Sequence, residues 1–193
     1  MAGHARYTVV FDACVLYPMV MADAMMSLTV TGLFAAKWTR RIEDEWMQAL
    51  IARRPDLQGR LGTRRDQMRA AAFDWEIEEV AWQPIAPSLA LPDPDDTHVL
   101  AAAIAGHADC IITTNLRDFP TEITAPLGVE VLHPDPFIEA QWDLNPIAAL
   151  TAFKRMRARW QKPEASALEF AEAFERGGLP MAATRLREAG ELL

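Results

Sequence analysis

Asp12 stands directly after Tyr7 to Phe11, a short β-branched and aromatic run of the kind that forms a buried parallel strand, so its carboxylate emerges at the strand's end. Comparable places are held by Asn115 and Asp118, which follow the apolar run Cys110 to Thr114, and by Asp96, which closes Asp93-Pro94-Asp95-Asp96 ahead of Val99, Leu100, Ala103 and Ile104. Glu43, Asp44 and Glu45 lie early in an amphipathic stretch, Arg40 to Arg53, with Ile42, Trp46, Ala49 and Leu50 on one face. Carboxylates gathered in one place repel each other, raise their own pKa values and cost stability unless cations neutralise them. Hard oxygen ligands select Mg²⁺ or Mn²⁺, and such ions activate water for hydrolysis.

The elements that must bring these groups together follow from the alternation of the pattern. Tyr7–Phe11, Cys110–Thr114 and Val129–Leu132 read as strands separated by helices, which implies a parallel sheet with right-handed crossovers. Ligands of such sheets sit beyond the carboxyl ends of the strands. A helix that precedes a strand begins at that same edge, so Asp96 joins Asp12, Asn115 and Asp118 there. The helix from Arg40 joins them if it follows the same rule; its phase turns Asp44 away and leaves both Glu43 and Glu45 as candidates. Asp93 suits the N-cap, with Pro94 at the first helical position.

The spacing further predicts one helix over Asp23–Ala36 and another from about Arg60 to Val80, with a proline-marked loop from Pro84 to Pro94. Past Pro134 the pattern is purely helical: Ile147–Trp160, Ala165–Arg176 and Met181–Ala189, separated by Pro163 and by Gly177-Gly178. The expected architecture is α/β, a parallel sheet flanked by helices over residues 1–140, with an all-helical C-terminal extension over 141–193 that packs either on this domain or on another subunit.

A net charge of -8 argues against a surface that is basic throughout, but the charge is segregated. Arg117 is the only Lys or Arg between Asp74 and Glu130, whereas Lys37 to Arg69 carries Arg40, Arg41, Arg53, Arg54, Arg60, Arg64, Arg65 and Arg69. An acidic pocket beside a basic helical face is the arrangement this allows, with a solvated helix face as the plainer alternative. Cys14 and Cys110 end apolar runs and read as small buried residues of a reducing compartment. His4, His98, His107 and His133 occur singly, without metal-binding spacing, and are expected to be structural or exposed. Trp38, Trp46 and Trp75 read as core. The apolar stretch from Val15 to Ala36 is interrupted by Asp23, which favours a core helix over a membrane span and leaves Asp23 either paired at a subunit contact or facing water. No secretory leader pattern is present, so the cytoplasm is the expected location.

Four segments together, VVFDACVLYP (Val9 to Pro18), WTRRIEDEW (Trp38 to Trp46), LPDPDDTHVLAAAI (Leu91 to Ile104) and IITTNLRDFP (Ile111 to Pro120), resemble the PIN-domain nucleases, and most closely the VapC-type toxins of bacterial toxin–antitoxin pairs. The resemblance covers about residues 5 to 135. It implies a PIN-like sheet, a metal-binding set of Asp12, Glu45 and Asp96, and hydrolysis of RNA to 5′-phosphate and 3′-hydroxyl ends with Mg²⁺ or Mn²⁺. It also implies a homodimer and a small antitoxin that blocks the acidic edge. The fourth acidic position of many relatives falls on Asn115, an amide that adds no charge, which leaves Asp118 as the further catalytic candidate and Asn115 with Thr114 as weak or supporting ligands. Cys14 stands where many relatives carry a polar residue, so a supporting hydrogen bond is expected to be lost there. Arg40, Arg41, Arg64 and Arg65 are the candidates for contact with the RNA backbone.

Two rival readings meet the same residues differently. An aspartyl-phosphate enzyme resembling the haloacid-dehalogenase group needs a second acid two residues after the first, where this chain has Cys14. A non-catalytic PIN-like module that binds RNA or a protein is the alternative that Asn115 keeps open. No glycine-rich turn follows any strand, which argues against a nucleotide phosphate loop.

Overall fold

Val9, Val10 and Phe11 have no exposed surface, and neither do Cys110, Ile111 and Ile112. Such runs, apolar on both faces, belong at the centre of a parallel sheet covered on each side. In the computed structural model of the protein, which describes residues 6–161 and 165–193, these two runs are the adjacent middle strands β1 (Thr8–Phe11) and β3 (Cys110–Ile112). His4 and Pro163 lie outside the described residues.

Between β1 and β3 come α1 (Ala13–Leu16), α2 (Met19–Thr29), β2 (Ala35–Lys37), α3 (Arg40–Arg53), α4 (Gly62–Ala71), α5 (Glu79–Trp82) and α6 (Thr97–Ala105). After β3 follow α7 (Thr121–Thr124), β4 (Glu130–Leu132), α8 (Pro134–Leu144), α9 (Pro146–Ala158), α10 (Ala167–Arg176) and α11 (Pro180–Ala189). The four strands are all parallel in the order β2-β1-β3-β4, with Val9 opposite both Ala36 and Cys110, and Ile111 opposite Val131. A parallel four-stranded sheet flanked by helices, followed by a helical tail, is the architecture expected from the alternation of the pattern.

Two segments depart from the expectation. The helix predicted over Asp23–Ala36 begins earlier and stops at Thr29, and Ala35–Lys37 forms the edge strand β2. The stop lies in Thr31-Gly32: the Thr31 hydroxyl donates to the Leu28 carbonyl, and Gly32 takes φ +75°, a left-handed turn that reverses the chain. The helix predicted from Arg60 to Val80 ends at Ala71. Residues beyond it are drawn out of helical phase by the sheet edge, where Trp38 donates its amide to the Trp75 carbonyl at 2.8 Å and Ile77 returns the bond to the Trp38 carbonyl at 2.9 Å.

The tail packs on α2 of the same chain. Phe137 of α8 meets Phe34 edge-on at 4.9 Å, and Trp142, Phe153, Phe170, Phe174 and Trp160 continue as a chain of aromatic contacts at 5.0–5.5 Å. Asp23 pairs with Arg159 at 2.5 Å, which settles its partner within the chain. Residue 140, the expected domain boundary, lies inside α8, whose side chains join the same apolar cluster as the sheet. Among the described residues no helix is long and apolar enough to cross a membrane.

One buried acid fastens the tail. Asp135, 3% exposed, accepts the Met181 amide on one oxygen at 2.8 Å and the Ala182 amide on the other at 2.9 Å. These are first-turn donors of α11 that have no partner within their own helix, and a carboxylate also suits the positive end of that helix. Asp135→Ala is therefore expected to lower the unfolding free energy by about 2–3 kcal/mol. Asp143→Ala, which removes an exposed partner of Arg185, should change it by no more than about 0.5 kcal/mol. Urea denaturation of the two variants beside the wild type measures the contrast.

Candidate active site

The backbone carries Asp12 one residue past the sheet: its amide donates to the Ile112 carbonyl at 3.1 Å, so the side chain is fixed where β1 ends beside β3. Asp12 is largely buried, and both of its side-chain hydrogen bonds fall on Oδ2. Thr113 Oγ1 donates at 2.6 Å and Cys14 Sγ at 3.0 Å. Thr113 in turn accepts the Asn115 amide at 2.9 Å, and Cys14 accepts the Thr114 amide at 3.2 Å. Two expectations are corrected here. Thr113, not Thr114, supports the acid, because β3 turns the side chain of Thr114 outward to solvent. Cys14 keeps a supporting bond instead of losing it, since its thiol donates to the carboxylate. Burial first, then the neighbouring Asp12 charge, pushes that thiol up to about 11, so it stays protonated and able to donate.

Glu43 and Glu45, which helical phase left unresolved, have opposite environments. Glu43 is buried and accepts from Trp38 Nε1 at 3.0 Å and from Nε and Nη2 of Arg69, whose guanidinium lies over the Trp75 ring at 4.5 Å. It ties α3 to α4 and to the segment beyond. Glu45, half-buried, points toward the acids instead. Its Oε1 takes Arg41 Nε at 3.0 Å and has His98 Nε2 at the same distance, while Arg41 also reaches the Asp95 carbonyl at 3.4 Å. Burial pushes the Glu45 carboxyl up, but the contacts with His98 and Arg41 outweigh it and hold its pKa below the usual value.

Asp96 is the N-cap residue of α6, at the end of that helix nearest Asp12. Oxygens of Asp93, Asp96 and Asp118 lie within 4.8 Å of one another. Asp96 Oδ2 is shut off from solvent with no hydrogen-bond partner among the described residues. Burial, followed by the charges of Asp12, Asp118, Asp93 and Glu45, pushes its pKa from 3.8 up to about 7. Asp93, Asp96 and Asp118 thus meet directly, and Asp12 and Glu45 lie near enough for their charges to act on the same carboxyl. Asp93 does more than cap: its Oδ1 accepts the Asp95 amide at 2.9 Å, as the sequence suggests, yet it also joins the cluster. Asn115 donates its side-chain amide to Asp118 Oδ2 and so brackets the acid three residues on.

An all-oxygen, anionic donor set with one buried carboxylate oxygen left without a donor fits a hard divalent cation. Asp12 and Glu45 each have one oxygen committed to protein donors, an arrangement that fixes the carboxylate plane while the second oxygen remains for a ligand.

The arginines proposed for RNA contact are mostly engaged elsewhere. Arg40 pairs with Glu76 at 2.5 Å and Arg65 with Asp66 at 2.9 Å, both at the surface. Arg64 is a correction: it donates to the Leu16 carbonyl at 2.7 Å and stacks over Trp46 at 4.8 Å, so the position serves packing. Arg41 alone of the four touches the acidic cluster. His98, expected to be structural or exposed, is buried beside Glu45, two residues after Asp96 in the first turn of the same helix.

Comparison with known proteins meets the same two parts of the chain. The family described as PIN domain matches residues 8–117, and the family described as VapC50 C-terminal domain matches residues 134–188. A protein of Mycobacterium tuberculosis named "Putative ribonuclease VapC50" is 49% identical over 49 residues, which cover 25% of this chain and 29% of that relative. The match thus spans less than a third of the relative's length. With the family pattern running through both central strands and every acid of the cluster but Asp118, the chain belongs to the PIN-domain family.

Proposed function

We propose that this protein is a metal-dependent endoribonuclease, the toxin of a toxin–antitoxin pair, acting in the cytoplasm as a homodimer. The observation that carries the reading is the meeting of Asp93, Asp96 and Asp118 oxygens within 4.8 Å of one another, with Asp12 and Glu45 close enough for their charges to act on Asp96. A cluster so repulsive persists in a fold when a cation makes use of it. The relative's printed name and the match of the tail to a VapC50 C-terminal domain support ribonuclease activity and the toxin assignment.

In this reading Asp12, Glu45 and Asp96 hold Mg²⁺ or Mn²⁺, with Asp118, bracketed by Asn115, and Asp93 completing the negative set. The bound ion supplies Lewis acidity and positive charge at the phosphodiester. Thr113 and Cys14 keep Asp12 oriented, and Glu43 with Arg69 keeps α3 seated so that Glu45 faces the cluster. Arg41, at the rim, is placed to meet a phosphate, with Arg40 and Arg65 farther out on exposed surface. An antitoxin would act by occupying this edge.

Digestion of total RNA tests the reading. Wild-type protein with Mg²⁺ or Mn²⁺ is expected to cut, leaving 5′-phosphate ends; EDTA abolishes cutting and Asp12→Asn reduces it at least about 100-fold. Protein that binds RNA but cuts it with neither metal, with Asp12→Asn binding equally well, is a binding module instead.

The Asp96 environment also sets a pH dependence. Below its ordinary pKa of 3.8 the carboxyl is protonated in folded and unfolded chains alike. Between there and about pH 7 the folded chain keeps a proton that the unfolded chain has released, so rising pH removes stability. Asp96→Asn cannot titrate. Measured by urea denaturation in EDTA, its stability relative to wild type is expected to increase from pH 4 to about pH 7 and then level off; a difference constant with pH contradicts the assignment.

A further inference from the structure

His98 is 1% exposed, in the first turn of α6, and among the described residues its imidazole pairs with Oε1 of Glu45 at 3.0 Å. Its other nitrogen, Nδ1, is buried without a hydrogen-bond partner among the described residues. The ring lies 6.0 Å from that of Trp82, whose own Nε1 is also buried and unpartnered, so an available donor and an available acceptor are left unjoined. A histidine kept for stability would be expected to satisfy both nitrogens. This one directs its polarity to a single atom.

Because Oε1 of an ionised carboxylate only accepts, Nε2 must carry its hydrogen whatever the charge of the ring. Arg41 Nε reaches the same oxygen from the solvent side at 3.0 Å, whereas His98 reaches it from the core. Two donors on Oε1 fix the carboxylate's plane and leave Oε2 free for a ligand. The arrangement at Asp12 is analogous, with Thr113 and Cys14 both on Oδ2.

We propose that His98 is a positioning residue for Glu45: it touches neither substrate nor ion, and its Nε2–H holds Glu45 in the orientation that binds the divalent cation. The inference rests on the metal-binding reading of the acidic cluster. It assigns a role to a residue that lies outside the acidic set and was expected to be structural or exposed.

The test is the affinity for MnCl₂ alone, by isothermal titration calorimetry, with urea denaturation in EDTA run on every variant. His98→Gln carries an amide nitrogen out to the position of Nε2, whereas His98→Asn is equally polar but reaches only as far as Nδ1. His98→Gln is expected to keep Mn²⁺ affinity within about threefold of wild type, and His98→Asn and His98→Leu to lose about 10- to 100-fold. Metal-free stability should not follow that order, since Leu removes a buried unpartnered nitrogen and Asn does not. Equal affinity in the Gln and Asn variants, or losses that merely track unfolding midpoints, overturns the positioning role. Glu45→Ala and Asp12→Asn separate the two levels of argument. If they abolish Mn²⁺ binding while His98→Asn leaves it intact, only the role of His98 fails; if they leave it unchanged, the metal site fails and His98 loses its role with it.

Discussion

Mutual repulsion among carboxylates is the constraint around which this molecule is built. Parallel strands all end on one side, and the helices that follow β2 and precede β3 start on that side, so acids placed at those junctions are forced together. Burial first, and then the charges of its acidic neighbours, pushes Asp96 up to about 7. Nearly every polar contact nearby offsets the repulsion or bears it: Thr113 and Cys14 on Asp12, Arg41 and His98 on Glu45, Asn115 on Asp118. Asp96 is the exception, with one oxygen sealed away and unsatisfied. A site tuned only for stability would not leave that atom bare.

Much of this was legible in the sequence because it depends on periodicity and on connection rules. Buried strands announce themselves as β-branched runs, and Asp12 after one such run and Asn115 after another were placed correctly by that logic alone. The helix over Arg40–Arg53 has the bounds its amphipathic spacing predicts. What periodicity could not decide was which side of α3 meets the site. Glu43 and Glu45 are two residues apart, both beside the apolar stripe, and the choice is made by Arg69 and Trp38, which arrive from elsewhere in the chain.

The errors share that origin. β2 is three residues of Ala35-Ala36-Lys37, composition that suits a helix as well as a strand, and only pairing with β1 makes it a strand. Residues 72–77 carry no proline or glycine, so nothing local ends the predicted helix; hydrogen bonds to Trp38 do. Thr113 and Thr114 are adjacent, and a single residue of register decides which faces inward. Cys14 and His98 stand singly in the sequence, without metal-binding spacing, and only the fold brings them beside Asp12 and Glu45.

Asp135 sits in the first helix of the tail, yet the amides it grips belong to the last, 46 residues along the chain. The tail is therefore closed on itself like a clasp, and loosening of α11 is resisted by a group already rooted beside β4. A protease attacking this region would meet α8, α9, α10 and α11 as one cooperative unit rather than as four helices to be peeled away in turn.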